Sequence, residues 1–143
     1  MTKKIRILFA DDNKAFRDGL KRLLEAQPQY QVVGEAIDGE EAVAKAISLL
    51  PDVAILDYSM PKLDGLSAAY KIRQAAPSVE TLLLTQHDAP YTAQRAIDAG
   101  VRGFVVKSDA SRDLLPAIDA VRQQKTFVSS TIARGFSGGS ISK

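Results

Sequence analysis

The sequence predicts a doubly wound α/β domain on a five-stranded parallel sheet, and three observations predict it. Short apolar runs rich in Val, Ile and Leu alternate with longer segments of helical period along the 143 residues. Those runs are nearly continuous rather than alternating apolar and polar, the pattern of strands covered on both faces. Parallel strands joined through helices need right-handed crossovers, which put helices on both sides of the sheet.

The first strand is predicted at Ile5 to Ala10, ended by the adjacent carboxylates Asp11 and Asp12. A helix with the apolar stripe Phe16, Leu20, Leu23 and Leu24 follows, and Pro28 separates it from a second strand at Gln31 to Ala36. Asp38, with Glu41 three residues on, forms a capping box that opens a helix carrying Ala42, Val43, Ala46, Ile47 and Leu50. After Pro51 comes a strand at Val53 to Asp57, then a less cleanly patterned helix at Leu66 to Ala76, closed by Pro77. A strand at Thr81 to Thr85 leads to a helix at Pro90 to Ala99 that is mostly alanine and polar residues. The last strand is predicted at Gly103 to Lys107, and the last helix carries Leu114, Leu115, Ile118 and Val121. Pro116 removes a backbone donor there, so a distorted or late helix start is expected. Beyond Gln124 the rhythm is lost. Thr126 to Arg134 reads as a short docked segment or helical turn, and the Gly- and Ser-rich Gly135 to Lys143 as a flexible linker.

Composition narrows the chemistry. The length suits one domain, here residues 1–125, with residues 126–143 as its C-terminal extension. No apolar run approaches a membrane span, and the start is too short and too interrupted for a secretory leader, so a cytoplasmic location is expected. With no cysteine and the single histidine His87, thiol nucleophiles, thiolate metal sites and multi-histidine zinc sites are excluded. A net charge of +2 is too small and too dispersed to argue for nucleic-acid binding.

In open α/β sheets ligands bind outside the carboxyl ends of the strands, near the switch in strand order. There the sequence puts Asp11 and Asp12 after strand one, Asp57 at the end of strand three, Thr85 at the end of strand four and Lys107 at the end of strand five. With the flavodoxin-like order 2-1-3-4-5, three carboxylates face one lysine. Crowded carboxylates need an offsetting cation, and an all-oxygen donor set suits Mg²⁺, which keeps room for a phosphoryl group. Lys107 and Thr85 supply a charge and a hydroxyl for that group. A carboxylate attacking phosphorus in line forms an aspartyl phosphate.

The stretches "FADDNKAFRDGLKRLL", "VVGEAIDGEEAV", "PDVAILDYSMPKLDGL", "LLLTQHD" and "AGVRGFVVKSDA" together resemble the receiver domain of bacterial two-component response regulators of the LuxR/NarL type. The resemblance spans roughly the first 125 residues. It implies that Asp57 is the phosphoacceptor, that Asp11 and Asp12 are the Mg²⁺ acids, and that the Ser59 backbone carbonyl is a further metal ligand. It also implies that Thr85 is the switch hydroxyl, Phe104 the switch aromatic and Lys107 the site lysine, with Ser59 and His87 tuning hydrolysis. A sensor histidine kinase is the implied phosphodonor, a receiver homodimer a possible assembly, and DNA a partner only through a helix-turn-helix output domain with no counterpart in this sequence. The chain is thus expected to be an excised or a stand-alone receiver, a signalling switch and not an enzyme beyond its own phosphotransfer and slow dephosphorylation. Two positions depart from the pattern. Ser108 stands where many receivers have proline, which removes the intrinsic reason for a cis peptide after Lys107. Asn13 stands where histidine is common in this type.

Plainer readings compete with these. Asp11 or Asp12 can cap the first helix, Lys107 can be a counter-ion in a receiver-shaped interaction module that is never phosphorylated, and Phe104 can be ordinary core. A haloacid-dehalogenase-like phosphohydrolase also uses an aspartyl phosphate on an α/β sheet, but such enzymes have D-x-D at the first strand end. Neither glycine-rich nucleotide motif occurs.

Overall fold

The computed structural model describes residues 3–86 and 90–129. In chain order the elements are β1 (Ile5–Ala10), α1 (Lys14–Glu25), β2 (Tyr30–Ala36), α2 (Gly39–Leu49), β3 (Val53–Asp57), α3 (Gly65–Ala75), β4 (Glu80–Thr85), α4 (Pro90–Asp98), β5 (Gly103–Val106), α5 (Ala110–Arg122) and β6 (Phe127–Val128). The sheet is parallel throughout, ordered β2-β1-β3-β4-β5-β6.

Strand alternation divides the core between the two faces. Ile7, Phe9, Val53, Ile55, Leu82, Leu84 and Val105 point toward α1 and α5, where they meet Leu20, Leu24, Leu114, Ile118 and Val121. Leu8, Ala10, Ala54, Leu56, Leu83, Phe104 and Val106 point the other way, onto the alanine-rich faces of α2, α3 and α4. Small residues such as Ala42, Ala46, Ala68, Ala69, Ala93 and Ala96, all buried, seat those helices on the strands. The weak apolar pattern of α4 is thus explained: it buries Ala93 and Ala96, and few large side chains are needed.

Several expectations need correcting. The sheet has six strands, not five, because Phe127 and Val128 add to the free edge of β5, with Phe127 N–H donating to Arg102 O and Ser129 N–H to Phe104 O. Residues past 125 therefore continue the sheet, and the part of the segment to Arg134 that lies beyond Ser129 falls outside the described residues, as does the linker from Gly135. Lys107 does not close β5 but opens a 3₁₀ turn, Lys107–Asp109, that runs into α5. Helix α5 starts six residues ahead of Pro116 and runs through it, so there is no late start. The first helix is capped by Asn13, whose side chain accepts the Phe16 N–H at 2.9 Å, so neither aspartate has that task. The capping box at Asp38 forms as expected, the Glu41 N–H reaching Asp38 Oδ1 at 2.8 Å, while the Glu41 carboxylate reaches back to the Ile37 N–H. The described peptide bonds are all trans.

Close approach of backbone forces glycine at the start of α3. A β-carbon at Gly65 would lie 2.3 Å from the Asp57 carbonyl oxygen, so the first residue of α3 has to lack a side chain for the β3–α3 loop to fold back beneath Asp57. The Gly65 N–H closes that loop on the Tyr58 carbonyl at 2.7 Å.

Candidate functional site

The carboxyl ends of β1, β3 and β5 converge on a cleft of about 780 Å³ lined by Asp12, Asn13, Phe16, Asp57, Ser59, Gln86, Lys107 and Ser108. One carboxylate oxygen from each of Asp11, Asp12 and Asp57 lies within 4.8 Å of the others. Asp11 is completely buried, Asp57 nearly so, and Asp12 exposed. The Lys107 ammonium bridges the two buried acids, 2.7 Å from Asp11 Oδ2 and 3.3 Å from Asp57 Oδ2. Its Nζ also stands 4.4 Å over the ring centre of Phe16 on α1, a cation–π contact that helps hold it across the cleft.

Electrostatics follow from this crowding. Burial, and then the neighbouring Asp11 charge, push the Asp57 carboxyl up to about 6; Lys107 and the Ser59 N–H, 3.4 Å from Asp57 Oδ1, oppose them. One ammonium does not fully compensate two buried carboxylates. Lys107 meets Asp11 Oδ2 as a close ion pair, and that buried oxygen has no other partner among the described residues.

The expected residues are not all in the cleft. The fold brings together Asp11, Asp12, Asp57, Ser59 and Lys107. Thr85 ends β4 and is buried, on the same face of the sheet as Leu83, while Gln86 takes the cleft wall. Phe104 is wholly buried on that same face. His87 lies outside the described residues. Sequence reasoning missed Phe16 as a partner of Lys107, having read it only as core, and missed Gln86 and Ser108 as walls. It also missed Ser129, a buried hydroxyl that accepts the Val106 N–H at 3.0 Å and bonds the Asp113 carboxylate. A lone serine in a Ser-rich tail carries no signal of this in sequence.

Residues 7–119 match the response regulator receiver domain family. The chain belongs to that family. Among relatives of this receiver is the response regulator VraR of Staphylococcus aureus, 36% identical over 114 residues, which are 80% of this chain and 54% of VraR. The receiver therefore spans about half the length of that relative. Two solved structures agree in shape. The signal receiver domain of NarL from Mycobacterium tuberculosis superposes with a TM-score of 0.82 at 34% identity, covering 87% of this chain and all (100%) of that one. A LuxR-family two-component response regulator from Aurantimonas gives 0.87 at 34% identity, covering 92% and 94%. Phosphorylation-dependent switching is the general function of this family, and its members hold Mg²⁺ at an acidic pocket of this kind. The donor set here fits that ion: oxygens only, three acids converging, and room beside them for a phosphoryl group. No helix among the described residues is long and apolar enough to cross a membrane.

Proposed function

We propose that Asp57 accepts a phosphoryl group from the phosphohistidine of a sensor kinase, and that the carrying observation is its position at the floor of a cleft shared with Asp12 and Lys107. An Asp57 carboxylate oxygen attacks phosphorus. The new P–O bond forms as the P–N bond breaks, and the electron pair of that bond goes to the imidazole nitrogen, which takes up a proton. The Lys107 ammonium, within reach of the same carboxylate, offsets the phosphoryl charge. Asp12 and Asp57, with the Ser59 carbonyl, are the residues that would hold Mg²⁺ directly, and Asp11 would act mainly through water. When bound, the ion supplies neutralisation of charge on the transferred group. Attack of water on the aspartyl phosphate returns the carboxylate and releases inorganic phosphate; Ser59, on the cleft wall, would tune that rate, and the receiver resemblance gives His87 the same task.

Thr85, buried at the end of β4, and Phe104, buried on the same sheet face, are the pair through which the phosphoryl group would bias the face formed by α4 and β5. The output is read by a partner, a second receiver, or a DNA-binding domain of the helix-turn-helix kind, in the cytoplasm. Solved relatives in which such an output reaches DNA include an RcsB–DNA complex. A non-phosphorylated interaction module is the second reading, and the convergence of the three acids on one another, two of them paired to Lys107, weighs against it.

Incubation with Mg²⁺ and acetyl phosphate, followed by intact mass, tests the proposal. One added phosphate in the wild-type chain and none in Asp57→Asn is expected. No adduct, or one undiminished by the substitution, overturns it, and sustained turnover of ordinary phosphomonoesters would point to a hydrolase instead.

A further inference from the structure

Arg17, on the first turn of α1, is outside the cleft wall, yet it grips the peptide that joins the two acids. Its Nη1 donates to the Asp11 main-chain carbonyl at 2.8 Å, and its Nε lies 3.3 Å from Glu35 Oε1 on β2, with only 14% of the side chain exposed. Every other polar atom of Asp11 is also engaged: its N–H donates to Ala36 O at 3.0 Å, Oδ1 accepts the Asn13 N–H at 2.8 Å, and Oδ2 meets Lys107. Asp12 is different. Its carboxylate is exposed and has no partner among the described residues. Contacts of its own therefore do not aim that carboxylate at the cleft. Its direction follows from the Asp11–Asp12 peptide plane, and the oxygen end of that plane is the atom Arg17 holds.

We infer that Arg17 is a positioning residue for the Mg²⁺ site, with Glu35 as its anchor, and that it sets the Asp11–Asp12 peptide so that the Asp12 carboxylate joins those of Asp11 and Asp57. This rests on the receiver reading of the three acids. Glu35 sits opposite Phe9 in the β1–β2 pairing, so the guanidinium spans from α1 across the strand ends and its own position is fixed by the sheet. An arginine suits this task because its planar fork serves a carboxylate and a carbonyl at once.

The sign of the effect separates positioning from charge. A cation near a metal site repels the metal, so by Coulomb's law alone removing Arg17 tightens Mg²⁺ binding. Positioning predicts the reverse. The test titrates the whole 143-residue chain with Mg²⁺ and follows backbone amide shifts by NMR, with circular dichroism to establish that each variant is folded. Arg17→Met is expected to raise the Mg²⁺ dissociation constant about tenfold, the scale seen when groups that orient metal ligands are removed. Arg17→Lys should restore part of the loss, and Glu35→Gln should weaken binding a few-fold. Acetyl phosphate kinetics should show the half-saturating Mg²⁺ concentration shifted in Arg17→Met with the maximal rate retained. Unchanged or tighter binding in folded Arg17→Met overturns the inference and leaves the site reading standing. If that variant does not fold, unchanged binding in Glu35→Gln overturns it. A wild-type chain that binds no Mg²⁺ overturns the site reading itself.

Discussion

Lys107 Nζ stands 3.3 Å from Asp57 Oδ2 while sitting closer, at 2.7 Å, to the fully buried Asp11. The ammonium is thus shared, and Asp57 receives the smaller part of its charge. Burial then outweighs Lys107 and raises the Asp57 carboxyl to about 6.

That elevation has a consequence for stability. In the unfolded chain the carboxyl titrates near its ordinary 3.8, so between there and about 6 the folded metal-free protein binds a proton that the unfolded chain has lost. A raised carboxyl favours the fold while it is protonated, and that advantage disappears as pH rises through 6. Metal-free protein should lose stability between pH 4 and pH 7 through this group, by up to about 3 kcal/mol for a shift of roughly two pH units. Asp57→Asn should flatten the profile and melt several degrees higher than wild type at pH 7, as read by thermal unfolding in EDTA.

Removing the lysine should deepen the same imbalance. Lys107→Met leaves two buried carboxylates without their cation, and breaking such a pair costs about 3 kcal/mol. Denaturant unfolding at pH 7.5 should show that loss, and it should shrink at pH 5, where Asp57 takes up a proton, or in millimolar Mg²⁺.

Gly65→Ala should disturb the site without touching a charged group. Its β-carbon would meet the Asp57 carbonyl oxygen at 2.3 Å, so the loop below Asp57 has to move. A loss of about 2 kcal/mol or more is expected, together with slower phosphorylation from acetyl phosphate at saturating Mg²⁺.

Ser129→Ala tests the sixth strand. The hydroxyl satisfies the buried Val106 N–H, and losing it should cost about 1–3 kcal/mol. Hydrogen exchange should then show lost protection at Val106 and along Phe127 and Val128, with α1 unaffected.

The sheet and the acids were legible in the sequence for physical reasons that the rest lacked. Strands buried on both faces, such as Val53 to Asp57, must be apolar throughout, and the loops at their carboxyl ends must hold whatever is polar, so Asp11, Asp12, Asp57 and Lys107 stood out. Strand β6 did not, because Phe127 and Val128 are too few to display a period, and their pairing depends on the free edge of β5. The helix cap was not legible because Asn13 and its two acidic neighbours are all good caps by residue type, and only the structure shows Asn13 accepting the Phe16 N–H while Asp11 pairs with Lys107. Arg17 and Ser129 act on main-chain atoms, the Asp11 carbonyl and the Val106 N–H. Such partners leave no trace in residue type.

Asp57 as the residue that carries the phosphoryl group is the central claim, and borohydride trapping reads it directly, since reduction of an aspartyl phosphate leaves homoserine at its position. After treatment with acetyl phosphate and Mg²⁺, peptide mass mapping should find homoserine at position 57 alone, and none when Mg²⁺ is chelated. Homoserine at position 11 or 12, or at no position, would contradict that claim.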